Sequence, residues 1–320
     1  MRRRSLLGGA LAAALAGCTA PAGPGEDLRI MVPNPPGSGY DITARVLATA
    51  LGDAGIARGV EVFNLPGAGG VVGLRRLAYE KGNALLVMLM GLGLIGAEIA
   101  ADAEVTLADA TPIARLVQEP SIVVVRRDSP YGSLDELIEA WRADPAGVPA
   151  GGGSSIGGPD HLATMLLAEA AGLAPARVAY RRNDGGGDLL AAVLGREVAF
   201  AMSGLSEYAD QITSGQLRAL AVTSEQTVDQ VPAPTVRAAG LDVVFNNWRG
   251  IVAPPGLAPA DAASLRATVA KLDASAPWAT ARSRFGWTPA YLTGDAFGAF
   301  MAEESARVAG VLRRLGLHRP

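Results

Sequence analysis

The chain has 320 residues, 49% of them hydrophobic and 18% charged, with 40 glycines and a formal net charge of −3. That length buries a sizeable core and suits two domains; the composition excludes a disordered chain. The charge argues against nucleic acid, yet leaves open an anionic small molecule, because backbone dipoles act locally.

The N-terminus reads as an export signal. Arg2, Arg3 and Arg4 form its positive region, with a weak twin-arginine character, and the apolar run 6–16 is too short to span a bilayer. Leu15, Ala16, Gly17 and Cys18 then match a lipobox, so residues 1–17 read as signal peptide, Cys18 as the acylated anchor, and 18–27 as a tether. Cys18 is the only cysteine, which excludes an intramolecular disulfide. The longest later apolar stretch, 84–97, reads as a buried strand followed by a glycine-rich loop at 91–96.

Strand and helix signals then alternate. The spacing predicts strands at 29–32, 60–64 and 85–89, with helices at 41–51 and 70–81. A less regular section from 110 leads into a strand at 122–125. Ser133 and Glu136 form a capping box for a helix over 134–143, which Asp144 and Pro145 stop. Strands follow at 148–150, 178–181, 198–202 and 217–223. Helices follow after Pro159 and at 188–194 and 205–213. Residues 243–253 read as extended, and 259–272 and 295–315 as amphipathic helices. This alternation predicts an α/β fold with largely parallel sheets, whose ligands sit beyond the carboxyl ends of the strands.

Three strand-to-helix turns are rich in glycine. The first holds Gly37, Ser38, Gly39, Tyr40 and Asp41; the second Gly67, Ala68, Gly69 and Gly70; the third Gly153, Ser154, Ser155, Gly157 and Gly158. The third ends at Pro159, suited to a first helical position. Backbone N–H groups and the positive end of a helix make such a turn an anion site, and serine hydroxyls add uncharged donors. On this reading no buried arginine is needed, since backbone donors to a charged acceptor suffice. His161 is placed to orient the serine loop. Asp41 and Arg45 are spaced as an i,i+4 ion pair, a role weighed against ligand contact. Arg181 and Arg182 sit at the cleft rim or on the open surface, and Trp248 at a domain junction.

Other chemistry fails for want of partners. Residues 153–157 match G-x-S-x-G, which would make Ser155 the nucleophile of an exported serine hydrolase. The chain has only His161, on the helix the turn would start, and His318 near the end. Neither glycine pair completes G-x-G-x-x-G, no P-loop lysine exists, and no metal or cofactor site can be assembled from one cysteine and two histidines.

At these residues the chain resembles the extracytoplasmic solute-binding receptors of tripartite tricarboxylate transporters, the Bug proteins. The resemblance runs through 32–45, 66–73, 151–162, 180–198, 215–224, 232–240 and 247–256 in order, nearly the whole mature chain. It implies a two-domain periplasmic-binding-protein (flytrap) fold, type II-like, with crossover segments between domains. It puts residues 28–120 and 250–320 in domain 1, and 121–249 in domain 2. It implies no catalysis, no cofactor, and a carboxylated ligand on the three turns, with Gly91, Gly185, Gly186 and Ser203 beside them. Two membrane permease subunits, one large and one small, are the implied partners. The implied location is outside the cytoplasm, on the outer face of the membrane through the lipid anchor or in the periplasm. A ligand sensor without its own transporter is the alternative receptor role. The chain departs from the family pattern at Asn34, at Lys81-Gly82-Asn83, and at Met90-Gly91-Leu92, where only backbone is offered.

Overall fold

A computed structural model describes residues 28–317; the segments read as signal peptide and tether, Cys18 among them, and His318 lie outside the described residues. The first half alternates β1 (Arg29–Val32), α1 (Gly39–Asp53), β2 (Glu61–Asn64), α2 (Val71–Tyr79), β3 (Leu86–Gly91) and α3 (Leu92–Ala100), and leads into β4 (Thr111–Arg126). Next come α4 (Leu134–Ala143), β5 (Ala150–Gly152), α5 (Pro159–Ala170), β6 (Tyr180–Arg182), α6 (Gly186–Leu194), β7 (Phe200–Gly204), α7 (Leu205–Thr213) and β8 (Leu217–Val222). The chain ends with β9 (Asn246–Ala253), α8 (Pro259–Asp273), α9 (Ala276–Phe285), β10 (Thr288–Thr293) and α10 (Gly294–Arg314).

Two sheets share β4. Its first part lies between β9 and β10, and the order β2-β1-β3-β9-β4 follows. From Ser121 onward β4 pairs with β7 and β8 instead, and β7-β5-β6 continues the second sheet. The flanking pairs β1–β2, β1–β3, β5–β6 and β5–β7 are parallel, while the pairs made by β4 and β9 are antiparallel.

The irregular stretch expected from 110 is therefore one 16-residue strand. Pro112 and Pro120 hide it from sequence patterning, because proline donates nothing to a ladder. Both stand where the ladder tolerates them. The register shifts between Pro112 and Ala114, and Pro120 is the last residue opposite β9. Beside it, Thr223 ties the crossing chains together. Its hydroxyl accepts the Ser121 N–H at 2.8 Å and donates to the Phe245 carbonyl at 2.6 Å, and its own N–H reaches the Ser121 carbonyl.

Two further elements depart from expectation. Residues 91–96 are not a loop: α3 begins at Leu92 directly after β3. Its glycines mark tight packing rather than turns, as Gly93 lies against Tyr40 and Pro159. The second departure, α9 with β10, has little apolar periodicity. It is held by Trp278 and Trp287, both buried, with ring centroids 6.0 Å apart.

Helix α1 shows how local signals and packing agree. Ser38 caps it by accepting the Asp41 N–H at 3.3 Å, and Ala44, Leu47, Ala50 and Leu51 form its buried stripe. Each large apolar side chain so buried is worth about 1.5–3 kcal/mol. In the second sheet Trp141 of α4 packs edge-on to Phe200 of β7 at 4.9 Å. Trp248 is buried under α10 against Phe297 and Phe300, its indole N–H on Glu304 at 2.8 Å. Among the described residues no helix is long and apolar enough to cross a membrane.

Where the sheets meet, Glu119 of β4 and Arg249 of β9 form an ion pair with side chains 0% and 1% exposed. Glu119 also accepts the Ser206 N–H of α7 at 3.0 Å. Removing one member of such a pair leaves a buried charge uncompensated. Glu119→Ala should lower unfolding free energy by about 3–5 kcal/mol in urea titrations. The double variant Glu119→Leu with Arg249→Met should lose much less than the two single changes added together.

Candidate ligand-binding site

A cleft of about 520 Å³ opens between the two sheets. One wall is built from the turns after β1 and β2, the start of α3, and Asn247 and Arg249 of β9. The other is built from the turns after β5 and β6 and from Glu207 of α7. The four turns lie at the carboxyl ends of parallel strands, where such sheets leave a crevice. The structure brings Gly37, Ser38, Gly39 and Tyr40 together with Gly67, Ala68, Gly69 and Gly70 across from Gly153, Ser154, Ser155, Gly158, Gly185 and Gly186.

The turn after β2 depends on unusual backbone. Residues Gly67 to Gly70 hold φ of 148°, 47°, 66° and 108° in succession, and three of the four are glycine, which adopts such angles at little cost. The result turns the start of α2 toward the cleft.

Asp41 does not line the cleft. It lies behind the first turn, accepting from Gly37 at 2.9 Å, Arg45 at 3.0 Å and Asn64 at 2.9 Å. Burial pushes its carboxyl up, but these bonds outweigh burial and hold it below the usual range. The bracing role is the one observed. Tyr40 lines the cleft and its hydroxyl accepts the Leu94 N–H at 3.2 Å, while burial raises the phenol to about 12.

The turn after β5 is braced in the same manner. Ser154 Oγ accepts the Asp160 N–H at 3.1 Å, and Asp160 Oδ2 accepts the Gly153 N–H at 2.7 Å. His161 does not reach the cleft. Its Nδ1 accepts the Gly157 N–H at 3.3 Å, its ring packs edge-on to Tyr180 at 4.9 Å, and burial lowers it to about 4. A histidine so placed is not available to Ser155 as a base. Ser203 is fully buried behind the cleft and donates to Glu207 at 3.2 Å. Gly91 lies off the cleft too, where a β-carbon would collide with the Trp248 carbonyl.

The amides expected to be bare are partly spent. Those of Gly37, Gly153 and Gly157 serve Asp41, Asp160 and His161, and that of Gly185 bonds the Gly153 carbonyl at 3.0 Å. The first turns of α1 and α6 keep the N–H groups that no helix can satisfy internally.

The floor carries what sequence reasoning missed: Asp160, Glu207, Asn247 and Arg249 all line the cleft. A buried arginine is thus present, contrary to the expectation that none is needed. The available signal was a charged residue inside each of two apolar strand runs, Glu119 in β4 and Arg249 in β9, since charges in buried strands need partners. Burial raises Glu207 to about 7, with Glu119 adding to the rise and Arg249 and Ser203 opposing it. Asp160 is also raised, first by burial and then by Glu207. At the rim Arg182 pairs with Asp184, while Arg181 pairs with Glu197 away from the cleft.

The walls touch at several places. A Cβ built on Gly69 would lie 3.3 Å from Ser155 Oγ, and one on Gly96 would overlap the Gly157 carbonyl. Gly157, placed off the cleft, holds φ of +82° to make that approach. Gly96→Ala should therefore keep the walls apart. Calorimetric titration should show ligand binding weakened at least tenfold, and small-angle scattering should show no compaction on adding ligand. Gly52→Ala, a helical glycine with open space around it, should bind normally and gain about 0.4–1 kcal/mol of stability.

The profile of the family described as tripartite tricarboxylate transporter family receptor matches residues 43–317. Protein BugT of Bordetella pertussis is 31% identical over 313 residues, covering 95% of this chain and 94% of its own. A TctC solute binding protein from Polaromonas, solved with no ligand, is 27% identical with a TM-score of 0.66, covering 92% of this chain and 100% of its own. MatC from Rhodopseudomonas palustris, solved with bound malate, has a TM-score of 0.78 at 21% identity, covering 90% of this chain and 99% of its own, which bears on the fold alone. The chain belongs to the tripartite tricarboxylate transporter receptor family, a family of solute receptors and not of enzymes.

Proposed function

We propose that this chain captures a di- or tricarboxylate in the cleft between its sheets and delivers it to a tripartite transport permease with one large and one small membrane subunit. The observation that carries this reading is the convergence of four strand-to-helix turns, two from each side, on one cavity of about 520 Å³. Helix N-termini and hydroxyls favour carboxylates, and four to five such donors at roughly 1.5–3 kcal/mol each reach the 8 kcal/mol of micromolar binding. Malate, the ligand seated in MatC, is itself a dicarboxylate. The ligand-contacting set on this reading is the glycine and serine turns with Tyr40; Asp41, Gly157, His161 and Ser203 support it from behind.

The lobes of this reading are residues 28–120 with the chain from β9 onward, and residues 121 up to β9, since β9 pairs with β3 and the first part of β4 from Asn246 on. Domain closure then rotates about the place where β4 changes partners and Thr223 ties the crossings. Export and a lipid on Cys18 keep the receptor at the outer face of the membrane.

A thermal-shift screen over organic acids tests the ligand class. An acid at a hundred times its dissociation constant should add about 2.7 kcal/mol of stability, and a screen blank across mono-, di- and tricarboxylates would refute the class. For the anchor, Cys18→Ser should move the protein from the membrane to the soluble fraction or leave it unprocessed. Mass spectrometry showing a mature N-terminus without lipid on Cys18 would refute that part.

A further inference from the structure

We propose that the groove between α3 and α10 is a second ligand site, separate from the cleft, and that it takes a small apolar molecule carrying an ammonium group.

The groove encloses about 700 Å³, a volume suited to a small molecule. Its walls are the C-terminal end of α3, the chain that follows to the start of β4, and the small face of α10 at Gly298, Ala302, Ala306 and Ala309. Ile99, Leu107 and Met301 make the remainder apolar. No residue lines both this groove and the cleft. Surface of this kind favours an apolar body.

Glu98 gives the groove its chemistry. It lines the groove yet is only 5% exposed. One oxygen accepts the Leu107 N–H at 2.8 Å, and no other hydrogen bond reaches the carboxyl among the described residues. Burial raises it to about 7, the Leu107 N–H opposes the rise, and Asp109, the one charge close enough to act on it, adds to it. Asp102 of the same wall is acidic too, while α10 and β4 present no charged side chain to the groove. A buried carboxyl without a cation is costly unless a partner arrives.

The position of these acids is a second observation. Glu98 stands in the last turn of α3 and Asp102 just beyond it, and that turn holds no basic residue. A helix C-terminus carries partial negative charge, so carboxylates there are misplaced and a cation is favoured. A metal ion does not meet the need, because no group of acidic side chains among the described residues is arranged to hold one. An ammonium on an apolar stem does. Its N–H groups reach the free oxygen of Glu98, and its stem lies along the alanines of α10.

Matched probes that differ in the charged group test this: 2-phenylethylamine against 2-phenylethanol, and hexylamine against 1-hexanol, titrated calorimetrically into the mature protein at pH 7.5. At least one amine should bind at least tenfold more tightly than its alcohol. An alkyl ammonium stays protonated from pH 8 to pH 6, whereas Glu98 loses its charge as pH falls through about 7. Amine binding should therefore weaken roughly tenfold between those two values. Glu98→Gln keeps an acceptor for the Leu107 N–H but removes the charge. It should melt like the wild type, prefer the amine threefold or less, and lose the pH dependence. Ala302 is exposed on the groove wall, so Ala302→Trp should fold normally and bind neither amine. Failure of both amines to bind at about 1 mM or better would overturn the proposal. Equal binding of amine and alcohol would mark the groove as a plain apolar face, such as a protein partner covers, and would overturn it too. Amine binding that survives unchanged in Ala302→Trp or Glu98→Gln would place the amine elsewhere and do the same. None of these outcomes bears on carboxylate capture in the cleft.

Discussion

The Glu119–Arg249 pair is the constraint around which the structure is arranged. Glu119 stands on β4 one residue before Pro120, where the strand leaves the first sheet for the second. Arg249 belongs to the first sheet and the Ser206 amide to a helix of the second, so one carboxylate joins β9, β4 and α7. An ion pair this dry adds little net stability over a well-packed apolar pair of the same volume. What it supplies is position. Its bonds fix the register of β9 against β4, the start of α7 and the floor of the cleft together, and Glu207 follows from Ser206 on that helix.

Closure of the cleft depends on missing side chains. Gly39 meets Arg249 and Glu207, Gly69 meets Ser155, Gly96 meets Gly157, and Gly186 meets Glu207, each at a distance that a β-carbon would violate or crowd. At Gly96 and Gly157 the two walls approach backbone to backbone. The same glycines let helix N-termini open onto the cavity without a side chain in front of them. Rigidity then comes from behind: Asp41, Asp160 and His161 each spend a polar atom on a turn amide and hold the turn in shape before any ligand arrives. Preorganised turns avoid the ordering cost that would otherwise be charged to binding.

Much of this was legible in the sequence. The glycine turns, the capping serine, the proline opening α5 and the alternation of elements all follow from local rules that tertiary packing did not override. The α/β class and the resemblance to the receptor family follow from them. What was not legible has identifiable causes. The long strand β4 was hidden because prolines that usually break a ladder sit where this ladder changes partners. Helix α3 was read as a loop because glycines chosen for close packing look the same as glycines chosen for a turn. His161 was legible as a brace of the serine loop, whereas the choice between bracing and ligand contact at Asp41 depended on which way a side chain faces from the first turn of a helix, and spacing does not report that. The floor of the cleft combines residues 160, 207, 247 and 249, with Glu119 buried behind Arg249, points that only the fold brings together.

Those floor residues change what the glycine turns can select. A turn amide donating to a carboxylate contributes roughly 1.5–3 kcal/mol, and the turns on both walls supply several. Against that, an anion held about 4 Å from an ionised carboxylate is opposed by about 1 kcal/mol if the pair is as well screened as in water and about 4 kcal/mol at a typical protein-surface dielectric. One such encounter can cancel two amide bonds. Protonation of Glu207, which titrates near 7, relieves the repulsion but takes up a proton for each anion bound. Donors at the turns therefore attract an anion, and burial, which moves Glu207 and Asp160 toward the neutral form, limits how strongly the floor opposes it.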